Sequence, residues 1–174
     1  VVTPLFFPGA DIGQLAVNGT VNDLAVSGAR PLYLSCGLVI EEGLAVETLR
    51  QVVGSMADAA RRAAVSIVTG DTKVVPRGKC DQLFINTTGI GVIAAGRNPR
   101  ANGIKPDDVL LLNGTLGDHA AAILVARGEL RLDTEIPSDC AALAELIDAV
   151  FSEVEVHAMR DVTRGGLAAV LNEL

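Results

Sequence analysis

Aromatic residues are nearly absent from this chain of 174 residues, which has no Trp, one Tyr and four Phe. Proteins that bind single-stranded nucleic acid stack bases on exposed aromatic rings, so this composition argues against such a role. An excess of basic residues is also absent, because the formal net charge is −7. Since nonspecific nucleic-acid binding relies on a basic surface, we predict no nucleic-acid partner. An anionic small molecule is still compatible with this charge, because metal ions can bridge carboxylates to phosphates.

Cysteine is scarce as well, with Cys36, Cys80 and Cys140 widely spaced and no C-x-x-C pair. An odd number at such spacing is a poor disulfide framework and argues against a structural zinc site. The chain shows no signal-peptide pattern and no apolar run long enough to span a bilayer. We therefore predict a cytoplasmic protein with reduced thiols and no membrane partner.

Apolar residues make up 49% of the chain, which is enough for a sizeable core. Apolar and small residues recur at helical spacing over residues 12–27, with Asp11 as a candidate N-cap, and again over residues 47–64. The order strand, helix, strand, strand predicts a mixed or antiparallel sheet with helices on one face, in an α+β or α/β fold. The strands are predicted over residues 30–40, 65–70 and 82–95.

A domain boundary is indicated by the Gly, Pro, Asn and Asp residues concentrated over residues 96–108. We predict an N-terminal domain over residues 1–95 and a C-terminal α/β domain over residues 96–174. The apolar start without Met and the end in a helical pattern predict that both domains are incomplete. The second domain is predicted to hold a strand over residues 109–114, a helix capped by Asp118, a helix within residues 136–153 and a last helix capped by Thr163.

The first candidate site is the motif Gly-Asp-Thr-Lys after the apolar strand that ends at Thr69. Gly70 allows a sharp turn, so Asp71 and Lys73 are predicted to lie in a loop at the strand end, a common position for ligand binding. A carboxylate there can hold Mg²⁺ against phosphate oxygens, and a lysine can reach a phosphate. The alternative is an ion pair in a surface turn. No Walker A motif is present.

The second candidate is the pair Asn22 and Asp23, which interrupts an otherwise apolar helix. Neither residue favours a helix interior, and a carboxylate in an apolar setting is costly without a metal, a base or N–H donors. A satisfied core carboxylate or a solvated helix face explains the pair equally well.

The third candidate is the segment Met159–Ala168, where Arg160 and Arg164 flank a capped helix start with two glycines. Free N–H groups, the helix dipole and two guanidinium groups can form an anion site. An ordinary capped helix with Arg–Asp pairing is the simpler interpretation of this segment taken alone.

Five segments together resemble the HypE family of hydrogenase maturation proteins in order and spacing. That family belongs to the superfamily of aminoimidazole ribonucleotide synthetase, selenophosphate synthetase and thiamine-monophosphate kinase. The resemblance runs over essentially the whole chain. The segments are FFPGADIGQLAVNGTVNDLAVSGARPLYLSCGLVIEEGL, VTGDTKVVPRG, LFINTTGIG, GDHAAAIL and MRDVTRGGLAAVLNE.

The resemblance implies an ATP-dependent carbamoyl dehydratase. The carbamoyltransferase HypF places a carbamoyl group on a C-terminal cysteine, and the family dehydrates this thiocarboxamide to a thiocyanate. The cyanide becomes an iron ligand of [NiFe]-hydrogenase, through a HypC–HypD scaffold complex. The family fold has two domains, and the N-terminal domains pair in a homodimer with ATP near that interface.

Carried over by motif, Asp23 and Asp71 would be Mg²⁺ ligands beside the ATP phosphates. Asn22 and Thr72 would line the same site, and Lys73 would face the phosphates and the thiocarboxamide. The second domain would close the cleft with Arg160, Asp161, Thr163 and Arg164.

Two features of the family are missing from this sequence, which has neither the C-terminal cysteine tail nor the glycine-rich acidic segment before Val1. The segment alone is therefore expected to be inactive. Two alternatives stay open, namely another phosphorylating enzyme of the superfamily and a non-catalytic dimeric scaffold.

Overall fold

The computed structural model describes residues 2–174. This range contains five strands and five helices, with one short 3₁₀ turn at Ala101–Gly103. The strands are β1 (Phe6–Phe7), β2 (Ala10–Asp11), β3 (Ala29–Glu41), β4 (Ser66–Val75) and β5 (Leu83–Ile93). The helices are α1 (Ile12–Val26), α2 (Val46–Arg62), α3 (Asp118–Ala126), α4 (Ala144–Glu153) and α5 (Gly166–Glu173).

The main sheet has three strands in the order β4-β3-β5. Strand β3 pairs in parallel with β4 and antiparallel with β5, so the sheet is mixed, as predicted. Helix α1 packs against β3 and β5 and also against α2, which confirms that the helices share one face. Strands β1 and β2 form a separate small antiparallel pair before α1.

Helix α1 begins where the sequence predicts. The side chain of Asp11 accepts hydrogen bonds from the backbone N–H groups of Gly13 and Gln14, at 2.7 and 3.1 Å. These bonds satisfy N–H groups that have no partner inside the helix. The same carboxylate accepts a bond of 2.6 Å from the Ser55 hydroxyl on α2, so the cap also joins the two helices.

The core lies between the helices and one face of the sheet. Val17 and Val21 of α1 are fully buried and share a cluster with Leu34 of β3 and with Met56 of α2. Each such side chain contributes about 1.5–3 kcal/mol when it leaves water, so this cluster fixes α1 and α2 on the sheet. Farther along β3, the alternate residues Cys36, Leu38 and Ile40 also pack toward the helices.

Strand β4 corrects one prediction. The strand does not end at Thr69 but continues through Gly70, Asp71 and Lys73 to Val75, paired with β3 along its length. β4 is an edge strand, and nearly all of its residues are exposed, so charged side chains need not leave water. The backbone pairing with β3 therefore continues through the charged residues.

The chain after Ile93 departs further from the prediction. The predicted strand over residues 109–114 is wrong, because these residues form neither helix nor strand and are exposed. Helix α4 begins only at Ala144 rather than within the earlier part of residues 136–153. The caps of α3 and α5 are Gly117 and Gly165, both in the left-handed conformation, and not Asp118 and Thr163.

The segment after β5 is held against α4. The guanidinium of Arg97 forms an ion pair with Asp148 and lies over the ring of Phe151, 4.7 Å from its centroid. Arg97 and Pro99 also lie close to Gly28, just after α1. The linker is thus packed between the end of α1 and α4.

Within residues 2–174, no helix combines the length and apolar character needed to cross a membrane.

Candidate active site

The acid and the base of the Gly-Asp-Thr-Lys motif lie on the same side of β4. Asp71 is paired with Gly37 and Lys73 with Val39 in the parallel register. Since Cys36 and Leu38 are the β3 residues that pack toward the helices, Asp71 and Lys73 belong to the opposite row. We call this row, with its continuation on β5, the open face of the sheet.

A cavity of about 540 Å³ is lined by the first turns of α1 and by all three strands. Its wall takes in residues from both faces of the sheet, with the apolar Leu15 and Leu38 on the helix side and Asn86 of β5 on the open face. Asp71 and Lys73 are the charged residues that line it. A largely apolar cavity with a few convergent polar groups is the usual form of a small-molecule site.

The side chains of Asp71 and Lys73 differ in their hydrogen-bond partners. The Asp71 carboxylate accepts a hydrogen bond of 2.8 Å from the backbone N–H of Thr72, which orients it. The Lys73 side chain makes no hydrogen bond or ion pair with the other described residues, so its ammonium group is available to an anion. Asp71 and Lys73 therefore do not form the ion pair that was the alternative interpretation of this motif, and the local ion pair is wrong within the described residues 2–174.

Gly70 is required by the close approach of β3. A Cβ atom built at this position would lie well inside van der Waals contact with the carbonyl oxygen of Cys36. We expect Gly70→Ala to separate β3 from β4 and to lower stability by about 1–3 kcal/mol. The midpoint of thermal unfolding measures this loss.

Gly54→Ala on α2 is the matched control for that substitution, because a Cβ at Gly54 meets nothing within 4 Å. It should raise stability by about 0.5–1 kcal/mol, since glycine is unfavourable inside a helix. An unfolding midpoint of Gly70→Ala equal to that of the unmodified protein would contradict the steric argument.

Asp23 of α1 faces the segment between α4 and α5. Partial burial of its carboxyl raises the pKa of Asp23, although the residue as a whole is exposed. The charge of Asp161 raises the pKa further, and the charges of Arg164 and Arg160 oppose this effect. The charges that act on Asp23 therefore come from three of the predicted residues of the second domain.

That segment has an unusual backbone. Arg164, Gly165 and Gly166 have φ values of 45°, 87° and 63°, so three successive residues adopt the left-handed region before α5. Thr163 donates a hydrogen bond of 2.6 Å to the Asp161 carboxylate instead of capping the helix. Arg160 forms an ion pair of 2.8 Å with Glu173 at the far end of α5.

Asn22 has a role that the sequence did not reveal. Its amide donates a hydrogen bond of 2.9 Å to the carbonyl of Ala141 and accepts one of 2.8 Å from the N–H of Leu143. One turn earlier, Asn18 donates to the Cys140 sulfur at 3.4 Å. The spacing of Asn18 and Asn22, four residues apart in an apolar helix, is the sequence signal that could have indicated this contact.

The predicted residues therefore form two groups within one chain. Asp71, Thr72 and Lys73 lie on β4, whereas Asp23 lies on α1 among the charges of Arg160, Asp161 and Arg164. Asp71 is not among the charged groups that act on Asp23. In the part of the chain that the structure describes, no three acidic, His or Cys residues cluster as metal ligands.

Comparisons with known proteins cover the whole chain. The profile of the AIR synthase related protein family matches residues 1–93 with its N-terminal domain and residues 105–174 with its C-terminal domain. Carbamoyl dehydratase HypE of Rhodobacter capsulatus is 57% identical over 175 residues, covering 100% of this chain and 52% of the relative. The chain thus spans about half the length of the curated relatives it matches.

Two solved structures superpose equally well on this fold. A crystal structure of hydrogenase maturation protein HypE in complex with ATP has a TM-score of 0.95 and 53% identity, covering 99% of this chain and 52% of that chain. A HypE–HypF complex has the same TM-score and identity, covering 99% of this chain and 57% of that chain. These likenesses confirm the predicted two-domain fold and the resemblance stated from the sequence.

Proposed function

The chain belongs to the AIR synthase related protein family, and we propose that it forms part of an ATP-dependent carbamoyl dehydratase of the HypE type. The substrate is a carbamoylated C-terminal cysteine of the same protein, a thiocarboxamide. The carbamoyl oxygen attacks the γ-phosphorus of ATP and ADP leaves, while the nitrogen gives up a proton. The oxygen then leaves as inorganic phosphate while the nitrogen loses its second proton, so that the C–O bond is replaced by the nitrile of a thiocyanate.

The observation that carries this proposal is the cavity with Asp71 and Lys73 as its charged lining residues. Phosphoryl transfer requires positioned charge more than covalent chemistry from the protein. The Lys73 ammonium, which has no partner among residues 2–174, would stabilise the negative charge that develops on the transferring phosphoryl group and on the departing oxygen. Asp71 is held by the Thr72 N–H, which fixes the carboxylate at the cavity wall.

The donor atoms at hand fit Mg²⁺, which prefers oxygen ligands and is commonly held by one or two carboxylates together with substrate phosphates. Asp71 and Asp23, which lie in separate groups within one chain, would each offer one such carboxylate. When bound, the ion would neutralise phosphate charge. Arg160 and Arg164, whose charges act on Asp23, would bind phosphate oxygens from the second domain, with Asp161 and Thr163 shaping that segment.

A homodimer is the assembly that we propose. The open face of the sheet carries apolar side chains that are largely exposed, with Tyr33 at 49%, Ile90 at 66% and Val92 at 54%. A second copy packed on this face would bury them. Since Asp71 and Lys73 belong to the same face, ATP would bind near the interface between the copies.

The wider setting follows from the same family. The carbamoyl donor is HypF, the cyanide acceptor is the HypC–HypD scaffold complex, and the product is an iron ligand of [NiFe]-hydrogenase. The protein acts in the cytoplasm. Domains over residues 1–95 and 96–174 provide the two sides of the cleft.

Calorimetric titration of the full-length gene product with ATP and Mg²⁺ tests this function. We expect saturable binding by the unmodified protein and at least about tenfold weaker binding after Asp71→Ala, because a charge-assisted contact to the bound nucleotide is lost. Asp81→Ala is the matched control, since Asp81 is an exposed carboxylate in the loop after β4.

Three outcomes separate the alternatives. Absence of ATP binding by the full-length protein would favour a non-catalytic scaffold. Binding together with phosphorylation of a free small molecule, and no reaction of the carbamoylated cysteine, would favour another enzyme of the superfamily. Equal affinities of the Asp71→Ala and unmodified proteins would contradict the assignment of the site.

A further inference from the structure

The amide of Asn22 joins α1 to the start of α4. Leu143 is the N-cap residue of α4, and its N–H is donated to Asn22 at 2.8 Å. The other end of the amide donates to the carbonyl of Ala141 at 2.9 Å. One side chain thus satisfies both a donor and an acceptor of the segment that leads into α4.

Only an amide can make both bonds from this position. An aspartate would keep the acceptor for the Leu143 N–H but would set a negative charge against the Ala141 carbonyl. Asparagine is also a poor residue for a helix interior, so its presence in α1 is compensated by tertiary contacts. Asn18 supports the same contact from one turn away, where it is 5% exposed and donates to Cys140.

The residue next to Asn22 is Asp23, and its charged neighbours come from the segment that follows α4. Arg160, Asp161 and Arg164 lie between α4 and α5, and all three act on the Asp23 carboxyl. Asn22, which contacts the start of α4, and Asp23, which is affected by the charges beyond the end of α4, are therefore adjacent residues of α1. Movement of α4 relative to α1 would change the distance between Asp23 and those charges.

We propose that Asn22 is a positioning residue, which fixes α4 on α1 and so holds Arg160, Asp161 and Arg164 beside Asp23. Asn22 acts through its two backbone bonds rather than through contact with the nucleotide. The kinetic consequence rests on the proposed function, because it requires that Asp23 and the two arginines act on the ATP phosphates.

Hydrogen exchange of the full-length protein tests the placement without reference to catalysis. In Asn22→Ala we expect faster amide exchange in residues 140–143 and also in residues 160–164. Asn172→Ala is the control, because the Asn172 amide is exposed and bonds only within α5, to the Ala168 carbonyl. Faster exchange confined to residues 140–143 would overturn the proposal, as would no change in either segment.

Steady-state kinetics of the Asn22 variants are the second test of this proposal. A displaced charged segment should lower kcat for ATP-dependent phosphate release by about tenfold or more, while KM for ATP changes less than about threefold. Asn22→Gln, which retains donor and acceptor, should recover part of the rate, whereas Asn22→Asp should not. A KM effect equal to the kcat effect would overturn the positioning role. If the unmodified protein shows no ATP turnover, the proposed function fails, and the exchange result alone decides whether Asn22 positions the segment.

Discussion

Lys73→Met should reduce the ATP-dependent dehydration rate of the full-length protein by about 10²–10³-fold, because one preorganised charge is removed from the proposed site of phosphoryl transfer. Methionine keeps an unbranched apolar side chain against the cavity wall and removes only the ammonium group. The Lys73 side chain has no ion-pair partner among residues 2–174, so little stability should be lost with the charge. Phosphate release from the carbamoylated protein measures the effect.

Lys79→Met is the appropriate control for this result. Lys79 is exposed in the loop between β4 and β5 and does not line the cavity that contains Asp71 and Lys73. Its loss should change the rate by less than about twofold, as is usual for an exposed charge. A Lys73→Met enzyme within threefold of the unmodified rate would show that the lysine has no part in the chemistry.

Asp11→Ala should be the most destabilising of the substitutions considered for the fold. Asp11 is 6% exposed, and its carboxylate accepts bonds from Gly13, Gln14 and Ser55. Alanine removes the helix cap, worth about 0.5–2 kcal/mol, and leaves a buried N–H group without an acceptor, at a further cost of about 1–3 kcal/mol. A total of about 1.5–5 kcal/mol corresponds to an unfolding midpoint lower by roughly 3–20 °C.

Differential scanning calorimetry checks this expectation, with Asp58→Ala as the matched loss of an acidic side chain. Asp58 pairs with Arg61 on the exposed side of α2, where both side chains are largely in water. Such a pair contributes about 0–1 kcal/mol, so this midpoint should hardly move. Asp11→Asn should fall between the two, because the amide oxygen can still cap α1. Equal midpoints for Asp11→Ala and Asp58→Ala would refute the capping argument.

Local sequence was sufficient for the first half of the fold. The spacing of apolar residues predicts helices α1 and α2, and Asp11 caps α1 as predicted. These features depend on residues a few positions apart, so their physical causes are present in any short window of sequence. The mixed sheet followed from the order of elements, since β3 and β4 are separated by a helix whereas β4 and β5 are joined by a short loop.

Strand β4 shows where local reasoning failed. An acid and a base after a glycine indicate a loop if the strand is buried, but β4 is an exposed edge strand in which both charges stay in water. Whether a strand is central or at an edge depends on which strands pair with it, and no local pattern specifies that. The predicted strand over residues 109–114 failed for a related reason, because a strand requires a pairing partner and none pairs with it in the described range.

The amino-acid sequence by itself indicated candidate residues for chemistry, since a carboxylate or an ammonium group among apolar residues is costly if it is buried without a function or a partner. It therefore singled out Asp23, Asp71 and Lys73. Only the tertiary structure decided how they are distributed, with Asp71 and Lys73 on the open face and Asp23 across from the second domain. Asn22 gained its role in the same way, because its two partners lie 119 and 121 residues away. Contacts at such separations depend on how the whole chain packs.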